Sequence, residues 1–182
     1  MNTRCASVLC VAMFLLVQSA KAADTDVNIT VEKKRLEHTA GSGFQPNSDT
    51  SKKTDEWAFT VTVENQTFKA LENLEVKYII FYKTEKLGQK GPARKETKSG
   101  SYTIPSIASL DKAIFDTDSV KLTRGMLIGQ PGSYEYFTNG AKPNAADTLT
   151  GIWIRIYKDG NQFAEYGYPA GLTSTEQWQD SN

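Results

Sequence analysis

The feature that most constrains the fold of this chain is a strict two-residue alternation of apolar and polar side chains between Trp57 and Glu64. Successive side chains of a β-strand point to opposite faces of its sheet, so this pattern predicts a half-buried strand. The apolar set consists of Trp57, Phe59, Val61 and Val63. The alternation returns from Leu74 to Lys83, where the β-branched and aromatic content favours a second strand over a helix.

The most specific local signal lies near the end of the chain. Two alternating runs, 152–157 and 162–166, are joined by Lys158-Asp159-Gly160-Asn161. Asp and Gly tolerate positive φ, so this sequence predicts a β-hairpin with a tight turn.

Shorter runs complete the predicted set of strands. Residues 27–31, 101–104 and 113–122 read as strands, the second stopped by Pro105 and the third bulged near Asp116. The polar stretches 38–55 and 84–100 are predicted connections, and 123–147 is predicted to be irregular. About seven short strands without a long helix predict an all-β fold, an antiparallel two-sheet sandwich, with a small β-barrel as the alternative.

Residues 1–22 have the order of a cleavable secretory signal peptide, with Arg4, an apolar stretch over 6–17 and Ala20-Lys21-Ala22 at the cleavage site. Cleavage after Ala22 leaves residues 23–182 as a single sandwich domain, whose location is extracytoplasmic, either periplasmic or secreted. Both cysteines lie in the leader, so we expect neither a disulfide nor a cysteine metal site in the mature chain. Residues 174–182 are predicted to fray, with Trp178 as the one side chain able to dock.

Three segments resemble the second-to-third-strand region of bacterial extracellular immunoglobulin-like or fibronectin-like modules. They are Phe59-Thr60-Val61-Thr62-Val63-Glu64-Asn65, Leu71-Glu72-Asn73-Leu74-Glu75-Val76-Lys77-Tyr78 and Phe81-Tyr82. Ile104-Pro105-Ser106-Ile107, followed by Phe115, is similar to the next turn and strand of those modules. The resemblance implies a β-sandwich that serves binding, spacing or surface assembly without catalysis. Unlike antibody domains, this chain lacks the paired cysteines.

The sequence shows little that is typical of an enzyme. His38 is the only histidine and lies in a polar stretch without a nucleophile motif, so we expect no catalytic triad and no zinc site. Asp116-Thr117-Asp118-Ser119 lacks the further ligands of a calcium loop and is predicted to be a solvated turn. We therefore expect no catalytic residues, no metal and no cofactor.

One surface stands out as a candidate for binding. If the isoleucines of 152–157 face the core, Trp153, Arg155 and Tyr157 turn outward, and Phe81 turns outward from the neighbouring strand by the same rule. These four residues form a predicted aromatic patch with a guanidinium group able to stack on it. Alternatively, region 123–147 or the tail with Trp178 covers the patch, which is the interpretation that the rarity of exposed apolar patches favours.

The sequence thus supports one main hypothesis and two alternatives for function. The main one is a non-catalytic extracytoplasmic binding or assembly module that contacts an unknown protein or glycan through a sheet face. After cleavage the chain carries 19 basic and 21 acidic residues, and this near balance argues against nucleic acid as a partner. The sequence after residue 22 has no further apolar run long enough to predict insertion into a membrane. The alternatives are an envelope hydrolase with a carboxylate pair and a purely structural envelope component.

Overall fold

The computed structural model describes residues 26–39, 50–89, 91–127 and 144–178. This part of the chain folds into strands and one short helix. The strands are β1 (Val27–Thr39), β2 (Thr50–Asn65), β3 (Leu71–Thr84), β4 (Arg94–Ile107), β5 (Lys112–Asp116), β6 (Val120–Leu127), β7 (Asn144–Ala146), β8 (Thr148–Lys158) and β9 (Asn161–Tyr168), and the helix is α1 (Leu172–Thr175).

The strands form two antiparallel sheets. Sheet A has the order β1-β2-β6-β7, with β5 paired to β2 beside β6, and sheet B has the order β4-β3-β8-β9. This arrangement confirms the predicted all-β fold with two antiparallel sheets. Among the described residues, no helix has the length and apolar character that crossing a bilayer requires.

The main core lies between the two sheets and contains the apolar side of each predicted alternation. Phe59, Val61 and Val63 of β2 are fully buried, as are Leu74, Val76 and Ile80 of β3 and Ile152, Ile154 and Ile156 of β8. These side chains belong to one apolar cluster contributed by both sheets. The two-residue periodicity therefore correctly predicted which face of these strands lies in the main core.

The predicted hairpin is confirmed, because β8 and β9 pair through Lys158 and Asn161. Asp159 and Gly160 at its turn have φ values of 51° and 78°. Both values are positive, as a two-residue type I′ turn requires.

Several predicted boundaries differ from the structure. The single strand predicted over 113–122 is two strands, β5 and β6, which pair with different parts of β2. Strand β4 begins at Arg94, inside the predicted connection 84–100, because its polar residues pair with β3. It continues past Pro105 to Ile107, which an edge strand permits because its outer N–H positions need no partner. Strands β1 and β2 extend into the predicted connection 38–55, and much of region 123–147 lies outside the described residues.

The side chain of Tyr78, on strand β3 of sheet B, contacts the segment between β5 and β6 of sheet A. The buried hydroxyl of Tyr78 accepts a hydrogen bond of 2.9 Å from the backbone N–H of Asp118, and burial raises the pKa of this tyrosine. Its ring crosses Gly100 on the neighbouring strand β4, where a Cβ atom would lie 2.3 Å from the Tyr78 hydroxyl oxygen. Glycine at position 100 is therefore what lets the two sheets connect here.

We expect Gly100→Ala to lower the free energy of unfolding by about 2–3 kcal/mol, because the tyrosine ring must move and its hydrogen bond weakens. Urea denaturation followed by tryptophan fluorescence measures the effect. Ser101→Ala, on the next and exposed position of β4, is the matched control and is expected to change stability by less than about 0.5 kcal/mol. Equal effects of the two substitutions would contradict the proposed contact.

Candidate functional site

Strands β3 and β8 are hydrogen-bonded neighbours, so the outward side chains predicted to form a patch do lie together. Ile79 is opposite Trp153, Lys77 is opposite Arg155, and Glu75 is opposite Tyr157. Phe81 follows Ile79 on the same face. The outer face of sheet B thus carries an apolar half around Phe81 and Trp153 and a polar half around Arg155 and Tyr157.

The apolar half is covered, which is the interpretation that the sequence favoured over an exposed patch. Their exposed fractions are 6% and 5%, because Leu172 of α1 packs onto them and Trp178 packs against the same cluster. The rings of Trp153 and Trp178 meet edge to face with centroids 5.5 Å apart. The alternative in which the C-terminal tail covers the patch is therefore the one that the structure shows, and the tail is packed as far as Trp178.

A glycine makes the close approach of the cover possible. Gly167 of β9 lies opposite Trp153, and a Cβ atom there would come within 2.7 Å of the Thr173 methyl group. The absence of a side chain at this position lets α1 lie directly on the sheet. The cover consists of α1 and residues 176–178, and we call it the C-terminal strap.

A polar network fixes the edge of the strap. The Glu165 carboxylate accepts hydrogen bonds from Trp153 Nε1 at 3.0 Å and from Arg155 Nε at 2.7 Å. The Arg155 guanidinium carbon lies 4.4 Å from the ring centre of Trp178 and 5.1 Å from that of Trp153. Burial lowers the pKa of Arg155, but the hydrogen bond and charge of Glu165 outweigh it and raise the pKa overall. Arg155 therefore helps to hold the strap.

The polar half of the face remains outside the strap. Tyr157 is half-buried, with the Lys77 ammonium group 5.1 Å from its ring centre. The neighbouring outward positions of β4 are occupied by the small polar residues Ser101 and Thr103. This half offers hydrogen-bonding groups but no broad apolar surface.

A groove runs between strand β4 and the C-terminal strap. It has a volume of about 490 Å³, with Ile79 and Phe81 at its floor, and its remaining lining is formed by Lys95, Glu96, Thr97, Ser99, Thr175, Glu176 and Gln177. Both acidic residues of this lining are paired with cations, Glu176 with Lys95 at 2.7 Å and Glu96 with Arg94 at 2.9 Å. The volume lies within the range of small-ligand and side-chain sites.

The sequence did not indicate this groove, because Lys95 and Glu176 on its two walls are 81 residues apart along the chain. It depends on where β4 and the strap lie in three dimensions. The one signal that pointed toward it was the excess of apolar residues on both faces of β3.

A second exposed feature lies in two neighbouring loops, 66–70 and 108–111, which we call the loop tip. Phe68 is 86% exposed and Leu110 is 59% exposed. The two loops are joined by hydrogen bonds from the Leu110 N–H and the Ser109 hydroxyl to the Thr67 carbonyl oxygen. Two apolar side chains thus protrude from loops that hold each other in place.

Asn65 organises the loop tip from below. Its fully buried side-chain amide donates to the carbonyl oxygens of Lys69, Ile107 and Ala108 at 2.8, 3.3 and 2.9 Å. Its side-chain oxygen accepts bonds from the Thr67 N–H and hydroxyl. In the sequence, Asn65 only ended a segment that resembles immunoglobulin-like modules, whereas the structure gives its buried amide the role of holding the two loops.

The remaining candidates for chemistry have structural contacts. Asp116 pairs with Lys34 and accepts a bond of 2.6 Å from the Thr60 hydroxyl, contacts that lower the pKa of this carboxyl. The His38 side chain lies outside the described residues. Within the described ranges, no three His, Cys, Asp or Glu side chains are grouped in a way that could hold a metal ion.

Comparison with known proteins adds little beyond this geometry. No family model matches the sequence, and no curated protein matches it. An X-ray structure of a Northeast Structural Genomics Consortium target is similar at 10% identity and a TM-score of 0.39, covering 88% of this chain and all of that one. A crystal structure from Akkermansia muciniphila is similar at 12% identity and a TM-score of 0.28, covering 82% of this chain and 74% of that one.

Proposed function

We propose that this chain is a non-catalytic binding or assembly module of the extracytoplasmic space, and that it contacts a protein partner through the outer face of sheet B. The observation that carries this proposal is the open groove of about 490 Å³ with an apolar floor at Ile79 and Phe81. A protein side chain that anchors an interface fills this kind of depression, with polar groups around it.

The order of the strands supports an immunoglobulin-like or fibronectin-like identity for the module. Immunoglobulin folds keep the first, second and fifth strands in one sheet and pair the third strand with the last two in the other. Here β1, β2 and β5/β6 share sheet A, while β3, β8 and β9 share sheet B with β4 added beside β3. The extracytoplasmic location rests on the leader-like residues 1–22.

A protein fits this face better than a glycan. Sugar rings bind against open aromatic faces, but Trp153 and Phe81 are buried beneath the C-terminal strap. The face of Trp178 that is turned toward Arg155 is occupied by the guanidinium group. What remains open is a depression with an apolar floor, which accepts a protruding apolar side chain and excludes water from it.

The two alternatives find less support. A carboxylate pair would need acids free to transfer protons, whereas Glu96 and Glu176 at the groove are each paired with a cation. A purely structural component agrees with the burial of Trp153 and Phe81 under the strap, but it does not account for the groove between the strap and β4.

The experiment fills the groove and asks whether binding is lost. Ser99→Trp places a large side chain in the groove, and Thr103→Trp, on the same face of β4 but outside it, is the matched control. The purified chain is immobilised and exposed to envelope and culture fractions of the producing cells, with and without protease treatment. We expect binding that protease abolishes, that Ser99→Trp weakens at least tenfold and that Thr103→Trp leaves unchanged.

Two outcomes would overturn this proposal. Binding that survives protease but is lost after periodate oxidation of sugars identifies a glycan partner. Binding that Ser99→Trp leaves unchanged places the contact elsewhere on the molecule.

A further inference from the structure

We propose that sheet A carries a second binding surface, a strip of exposed cations that takes an extended acidic segment of a protein partner. The strip consists of Lys33 and Arg35 of β1, Lys53 of β2 and Arg124 of β6, and we call it the basic strip. It lies on a different sheet from the groove, so this inference goes beyond the proposed function and does not depend on it.

The basic strip continues the core-facing side of sheet A. Lys33 and Arg35 are paired with residues of β2 that belong to the main core. Arg124 and Lys53 are paired with each other, two residues along β6 from the core residue Leu122. Directly paired residues and every second residue of a strand share one face of the sheet, so all four cations lie on the same face.

A buried carboxylate lies in the middle of the basic strip. Asp55 is 4% exposed, and its two oxygens lie 3.8 Å from Arg35 Nη1 and 3.8 Å from Arg124 Nη2. The side chains of the two arginines are 51% and 64% exposed. A guanidinium group has five N–H donors, so Asp55 orients both arginines while each keeps donors for a ligand.

The charge of the basic strip is not balanced. Among the residues that the structure describes, Asp55 is the one carboxylate paired with any of the four cations. Four positive charges and one negative charge leave a net charge of +3 on this face, although residues 23–182 as a whole carry more acidic than basic residues. Clustered like charges repel one another, so an anionic partner stabilises this face where solvation alone does not require such an excess.

The spacing of the cations fits an extended peptide. Lys33 and Arg124 are paired with Phe59 and Lys53, which are six residues apart on β2, so the strip is roughly 20 Å long. Successive positions on one face of a strand are ~7 Å apart, which is also the distance between alternate side chains of an extended peptide. Met126, two residues after Arg124 and 52% exposed, adds an apolar contact at the end of the strip. We therefore expect a segment with acidic residues at every second position.

Two other kinds of polyanion fit this face less well. Single-stranded nucleic acid binds where bases stack on open aromatic rings beside the cations. The aromatic residues beside the basic strip, Trp57 and Tyr168, are half-buried and packed against the main core, and Lys33 already contacts the Tyr168 ring at 5.7 Å. A polysaccharide of acidic sugars has no apolar side chain for Met126. These two polyanions are the competitors in the test.

The test measures fluorescence anisotropy of a fluorescein-labelled peptide of alternating Glu and Thr with the purified mature chain, at about 20 mM salt so that charges are weakly screened. We expect binding that Lys53→Glu weakens by about tenfold or more, because an attraction becomes a repulsion. Lys52→Glu is the matched control, since Lys52 is the preceding residue of β2, is exposed on the opposite face and gives the same change in net charge. It is expected to weaken binding by less than about twofold.

A second matched pair on β6 keeps the test independent of one position. Arg124→Glu changes the basic strip, and Lys121→Glu makes a similar change at an exposed position on the other face. Absence of peptide binding, or equal weakening by the two substitutions of either pair, would overturn the inference. Tighter binding of a single-stranded oligonucleotide or of polygalacturonate than of the peptide would also reject it. Ser99→Trp is expected to leave peptide binding unchanged, so failure of the basic strip and failure of the groove are told apart.

Discussion

Replacement of Trp153 by alanine is expected to lower the free energy of unfolding by about 3–5 kcal/mol, the usual cost of removing a large aromatic side chain from a packed site. From the sequence, Trp153 was a candidate binding residue on the outer face of its sheet, and the favoured interpretation was that another segment covers it. The structure buries it beneath Leu172 and Trp178 and gives its indole N–H to Glu165. The substitution leaves a cavity and removes that hydrogen bond. Urea denaturation monitored by circular dichroism measures the loss.

Two substitutions serve as controls for this prediction. Trp178→Ala removes the half-buried partner ring from the strap and is expected to cost about 1–2 kcal/mol, because less apolar area returns to water. Tyr157→Phe keeps the ring outside the strap and is expected to cost less than about 1 kcal/mol. A change below about 1 kcal/mol for Trp153→Ala would show that the strap does not cover the sheet in solution.

Side-chain alternation was enough to predict the main core, because the hydrophobic effect favours burial of the apolar face of each strand, whichever strands are its neighbours. Every second residue of β2 from Trp57 to Val63 is apolar, so whichever sheet β2 joins must bury that side. The same rule placed Trp153, Arg155 and Tyr157 together on one outer face. It is a local rule, and it succeeded where only the direction of a side chain mattered.

The segment that covers this outer face could not be predicted from side-chain alternation. Ile79 and Trp153 are apolar on the side that a sandwich normally exposes, and this conflict predicted that something lies over them. The sequence offered two segments for it, region 123–147 and the tail with Trp178. Only the packing of Leu172, with room for α1 at Gly167, identifies the tail.

The loop tip was missed for a related reason. Phe68 lies in a short polar connection, where a single apolar residue on the surface is ordinary. Its significance depends on Leu110, which a different loop brings beside it, and on Asn65, which holds both loops. None of these contacts has a periodic signature in the sequence.

Replacement of Asn65 by aspartate is the second change with a large expected effect, although it alters only one atom of the side chain. The Asn65 amide donates to the carbonyl oxygens of Lys69, Ile107 and Ala108, and a carboxylate oxygen in its place repels all of them. We expect a loss of about 3–5 kcal/mol at pH 7, since the buried carboxylate keeps the donors of Thr67 on one oxygen but turns its other oxygen toward carbonyl oxygens to which the amide donated.

The dependence of this loss on pH separates the missing donor from a general loss of packing. Burial beside three carbonyl oxygens favours the protonated form of a carboxyl at position 65 in the folded chain. Its folded pKa is therefore raised above the unfolded value of about 4. The folded state then binds more protons than the unfolded state, and stability falls as pH rises from the unfolded pKa through the folded one. Relative to the wild type, the Asn65→Asp variant is therefore expected to recover part of its deficit between pH 7 and pH 4, because a protonated carboxyl can again donate one hydrogen bond. Asn28→Asp is the control: its amide donates only to the exposed carboxylate of Glu64 at 3.3 Å, and exchanging this contact for an exposed like-charge pair is expected to cost no more than about 1 kcal/mol. Equal and pH-independent effects at both positions would show that Asn65 does not hold the loop tip.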